Sequence, residues 1–210
     1  MRLGESIASL GATAVRSLSR MAWTIVLARI GGIDVLAAWV TWTVVEVLAG
    51  AILHAAVASP VLSLAPGLEP GVRRACLREL VRLHERAALL ALVAFASAAL
   101  LPASMRGGAT AANVAGFGAY LACSLRFAGW RAVWQAQFRP WRWFVAEGVV
   151  STLPFGLCWI ASVGGGAGVS LLTLAFLAQA IAAFAMTPRR PMGAERPSAE
   201  DWARVLQLRK

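Results

Sequence analysis

The chain has 210 residues, 59% hydrophobic and only 14% charged, with mean hydropathy +0.68, whereas soluble domains carry roughly 45–50% apolar and about 25% charged residues. These figures exclude intrinsic disorder, a collagen-like repeat and a disulfide scaffold, and they predict an integral membrane protein with several spans. Twenty Lys+Arg against ten Asp+Glu give a net charge of +10, but the basic residues cluster between apolar runs and accompany no nucleic-acid-binding fold, so nucleic acid is not an expected partner.

Six apolar stretches qualify as bilayer-spanning helices. The first, 6–27, is amphipathic and carries Arg16 and Arg20; the second, 35–58, carries Glu46 and His54. In the basic segment 72–86, Arg74, Arg78, Arg82 and Arg86 recur every four residues, with Val72, Cys76, Leu80 and Val81 supplying an apolar side. That pattern predicts a cytoplasmic amphipathic helix, either lying on anionic membrane lipids or solvated as a loop helix. The third stretch, 87–101, is short and ends at Pro102. The fourth, 111–133, has Arg126 and Arg131 towards its end. The fifth, 143–162, holds Pro154 and Glu147, the latter expected to meet water or Arg142. A glycine turn at 164–166 leads into the sixth, 169–186, with Gln179. In the tail, 189–210, Ser198 and Asp201 form an S-x-x-D cap before a short amphipathic helix with Trp202, Val205 and Leu206. The expected fold class is all-α: a polytopic membrane protein with a six-helix lobe over 1–188 and a cytoplasmic tail.

Arginine placement orients the spans. With the N-terminus inside, the cytoplasmic segments hold Arg73, Arg74, Arg78, Arg82, Arg86, Arg139, Arg142 and the basic tail, while the opposite side holds only Arg29 and Arg106. Both termini are therefore expected in the cytoplasm. Trp130, Trp134, Trp141 and Trp143 bracket the loop between the fourth and fifth stretches, where an aromatic belt would meet the headgroups. Cys76, Cys123 and Cys158 match no zinc or redox spacing and read as small apolar groups in packed helices.

No enzyme is expected, because no nucleophile, base or His/Cys/Asp/Glu cluster converges; no metal or cofactor is expected either. The informative residues are the ionisable ones within apolar stretches, since a buried charge there faces a cavity or a partner. Arg16 and Arg20 lie four apart on one helical face, and their guanidiniums suit an anionic ligand. Glu46 and His54 could neutralise such an arginine or relay a proton. The alternative is that Glu46 pairs with an arginine to fix packing and that Arg20 snorkels.

The stretch from Arg16 to Gly32, RSLSRMAWTIVLARIGG, resembles the first helix of the multidrug/oligosaccharidyl-lipid/polysaccharide exporter superfamily, with Ala28, Arg29, Ile30, Gly31 and Gly32 matching its Ala-Arg-hydrophobic-Gly ending. The run from Arg131 to Arg139, RAVWQAQFR, resembles the basic segment between that family's fourth and fifth helices. The Phe-Gly that often follows the first-helix motif is missing from 33–40. The resemblance implies one six-helix lobe of a flippase in the bacterial inner membrane, moving polyprenyl-diphosphate-linked oligosaccharide for polysaccharide and cell-envelope synthesis. It further implies a second six-helix lobe as partner, from a homodimer or a heterodimer, and a cavity arginine at Arg16; the reading of the ionisable residues adds Arg20, Glu46 and His54 to the expected substrate site. Two other readings stay open: a non-transporting scaffold subunit of a polysaccharide export system, and a truncated, inactive transporter half.

Overall fold

The computed structural model describes residues 3–106, 109–137, 139–163 and 169–188, with residues 3–6, 9, 153–163 and 169–171 described by their backbone alone. The expected tail helix, the 164–166 turn and the Cys158 side chain lie outside the described residues. Every regular element among the described residues is helical, so the fold is all-α.

Helix α1 spans Leu3–Leu53 but breaks at Gly32, whose φ of 74° and ψ of −174° fall in a region open essentially to glycine alone. There the chain doubles back. The Trp23 and Trp39 rings stack with centroids 5.7 Å apart, and Arg20 reaches Glu46. A straight helix rising 1.5 Å per residue would hold these pairs roughly 24 and 39 Å apart. The first two expected stretches are thus the arms of one helical hairpin. The second arm continues beyond its expected end through a π-helical turn, His54–Ala58, then α2, Ser59–Leu64, and a 3₁₀ turn, Ala65–Gly67. Pro60 explains the π turn: it has no N–H to donate, and its ring would clash with the carbonyl four residues earlier in a regular helix. The widened turn, closed by the Ser59 N–H on the His54 carbonyl, accommodates it.

Among the described residues, one helical run, Leu10–Gly67, which includes the break at Gly32 and has a mean hydropathy of 1.9 over its most apolar window, is long and apolar enough to cross a membrane. Helix α3, Pro70–Ala99, joins the basic segment and the third apolar stretch into one 30-residue helix. Nothing breaks it, because 72–99 contain neither glycine nor proline. Helix α4, Ala111–Ala136, is capped by Thr110, whose hydroxyl accepts from the Asn113 N–H at 3.2 Å. Helices α5, Pro140–Val163, and α6, Val169–Met186, follow their expected bounds to within three residues.

The helices pack as a sequence of neighbours: α3 on α4, α4 on α6, α6 on α5, and α5 on α1. Close approach of α3 and α4 depends on small residues. A Cβ on Gly118 would collide with Phe95, and one on Gly129 would sit 2.9 Å from the His84 Cβ. Near the Gly32 end, Trp23, Trp39, Trp42, Phe95, Phe117, Tyr120 and Phe176 form an aromatic cluster that joins both arms of α1 to α3, α4 and α6. Near the Pro140 end a second core gathers Val61, Cys76, Leu77, Leu80, Phe127, Trp130, Val133 and Trp134.

That second core corrects two expectations. Arg78 is buried, at 6% exposure, because the turn 75–78 is covered all round as α3 packs against α4 and α2. Of the expected surface stripe, Arg74 and Arg86 are exposed and Arg82 pairs with Glu79 at 3.4 Å. Trp130 and Trp134 are core residues rather than a headgroup belt; Trp141 is exposed.

Candidate functional site: a cationic cavity between the helices

Between the two cores the helices stand apart around a cavity of about 490 Å³. All four residues expected at a site line it: Arg16 and Arg20 from the first arm of α1, Glu46 from the second, and His54 from the π turn. Arg131 of α4, Glu147 of α5 and Gln179 of α6 join them, with Tyr120 and Ser124. Trp23 and Trp39 stack against each other on its Gly32 side.

The charges form two unlike groups. The Arg20 Nη2 donates to Glu46 Oε2 at 2.6 Å, and the Ser124 hydroxyl donates to Glu46 Oε1 at 3.0 Å. This buried carboxylate thus has a donor on each oxygen. The pair spans the hairpin and holds its arms in register. Packing, not snorkelling, is what Arg20 serves.

Glu147 sits differently. Arg16 Nε lies 3.6 Å from its Oε1, Arg131 Nη1 lies 3.9 Å from its Oε2, and the Trp143 indole N–H donates to Oε2 at 3.3 Å. Two guanidiniums therefore share one buried carboxylate through long contacts, which leaves one positive charge in excess. Neither water nor Arg142 neutralises Glu147 as expected. Arg142 is exposed, and five positions along a helix place the two residues on different faces. The pairing open in the sequence also resolves: Glu46 takes Arg20, and Arg16 takes Glu147.

Arg131, Glu147 and His84 are not among the site residues the sequence predicts, because what brings them together is the packing of α1, α3, α4 and α5 around the cavities. The available signal was Glu147 itself, since a carboxylate in an apolar helix needs a cationic partner.

A second, smaller cavity of about 260 Å³ adjoins the first towards the Pro140 end and shares Arg16, His54 and Arg131 with it. His84 enters here from α3, seated against the bare backbone of Gly129, with its Nδ1 2.9 Å from the Leu80 carbonyl.

Compared with known proteins, the chain matches no family model, no curated protein and no solved structure.

Proposed function

We propose that the chain is a six-span, multi-pass lobe of a flippase-type transporter in the bacterial inner membrane, with both termini cytoplasmic. Its substrate would be a polyprenyl-diphosphate-linked oligosaccharide for polysaccharide export. The reading rests on the resemblance at 16–32 and 131–139, and one observation carries it furthest. Arg16 and Arg131 face a cavity among apolar helices and share only Glu147, at 3.6 and 3.9 Å. Two guanidiniums held by one carboxylate are a receptor for a multiply charged anion, since their planar forks bind phosphate oxygens in pairs. Arg20, held to Glu46 at 2.6 Å, supports the site by fixing the hairpin beside it.

The outer surface supports a lipid environment. Leu10, Leu18, Met21, Ile33, Leu90 and Ile181 are each more than half exposed, and such a girdle is stable where the solvent is hydrocarbon. The hairpin of α1 supplies two crossings and α3 to α6 supply four. A lobe of this kind works against a second one, whose face closes the cavity alternately to either side.

The test is binding of geranylgeranyl diphosphate to the protein purified in mild detergent, with geranylgeraniol as the uncharged control. The diphosphate binds and the alcohol does not. Arg16→Ala and Arg16→Lys both weaken binding by about tenfold or more, because lysine keeps the charge but loses the fork. Equal binding of alcohol and diphosphate, or unaltered binding by both variants, rejects the reading.

A further inference from the structure

The smaller cavity differs from the larger in one chemical respect. Both hold Arg16 and Arg131, but no Asp or Glu among the described residues lines the smaller one. Its polar wall consists of Arg16, Arg131, His54, His84, Gln135 and the Thr13 hydroxyl. Helical spacing sets this composition. Thr13 and Arg16 are three apart on α1, and Arg131 and Gln135 are four apart on α4, so each pair shares a face. His54 projects from the π turn that Pro60 imposes, and His84 reaches in where Gly129 lacks a Cβ. Glu147, which lines only the larger cavity, contacts both arginines, so the pair brings a net charge of about one to the smaller cavity with no carboxylate on its own wall among the described residues.

We infer that this 260 Å³ cavity takes a phosphate group, at a site that shares Arg16 and Arg131 with the proposed substrate site and rests on that reading of the two arginines. Arg16 and Arg131 supply paired N–H donors and Gln135 an amide donor, a donor set that suits a buried phosphate. The same chemistry fits a free phosphate ion or the monoester phosphate of a lipid headgroup. Because Arg16 and Arg131 border both cavities, an anion here competes with Glu147 for the same two guanidiniums.

The chain has two histidines, and they report the two cavities separately: His54 lines both, His84 only the smaller. The experiment is a titration of ¹⁵N-histidine-labelled protein in detergent micelles, at constant pH and ionic strength. One arm uses orthophosphate and the other short-chain phosphatidic acid. Both imidazole signals move and saturate together in at least one arm. Orthophosphate moving them identifies a free anion; phosphatidate alone moving them identifies a headgroup. Gln135→Glu, which places a carboxylate in the acid-free wall, weakens the effect about tenfold or more. Ala132→Leu, which fills the same cavity without charge, is the second variant should the first fail to fold. A shift of His54 alone places the anion in the larger cavity and overturns the inference, as does a still His84 signal with both probes. Prenyl diphosphate binding is a separate measurement, so failure of one proposal is distinguishable from failure of the other.

Discussion

Arg20 and Glu46 lie 26 residues apart in sequence on opposite arms of the α1 hairpin, and their side chains meet at 2.6 Å. This contact, not the arginine spacing along one helix, separates Arg20, paired across the hairpin, from Arg16, which shares Glu147 with Arg131.

Arg20→Ala strands the buried Glu46. Stability should fall by about 3 kcal/mol, the low end for a broken buried pair because the Arg20 side chain is one-third exposed. Adding Glu46→Gln should recover much of the loss. Thermal melts in detergent of both single variants and the double variant measure the coupling.

Arg16→Ala should behave differently. Its contact with Glu147 is 3.6 Å long, the arginine side chain is 38% exposed, and Arg131 and Trp143 still attend the carboxylate. The expected loss is below about 1 kcal/mol. A melt that falls as far as that of Arg20→Ala would make Arg16 a packing residue and remove it from the ligand site.

Gly32→Ala should destabilise the hairpin by about 1–3 kcal/mol, since φ 74° and ψ −174° are closed to residues with a Cβ. Gly32→Asn should be no better, because asparagine tolerates the left-handed helical region but not this one. Denaturation of the two variants side by side distinguishes this backbone requirement from an ordinary turn preference.

Topology is open to a labelling test in a background lacking native cysteines. With both termini inside, a cysteine at Gly165 should react with an impermeant reagent from outside and one at Arg74 should not. The opposite pattern would reverse the orientation.

Much of the helical content was legible in the sequence because it follows from local periodicity and from breakers. Val169–Met186 matches its expected bounds, and α4 starts at the expected residue 111, while α5 starts three residues before the expected 143. The apolar excess likewise identifies the chain's solvent problem before any contact is known. Other features needed the third dimension. Composition cannot tell that Arg78 is enclosed or that Trp130 and Trp134 are core, since burial depends on which neighbouring helix arrives at that turn. Arg16 and Arg20 look alike on one helix. Only the fold assigns Arg20 to Glu46 and leaves Arg16 sharing Glu147 with Arg131, because ion pairs depend on distances between helices, which helical periodicity does not encode.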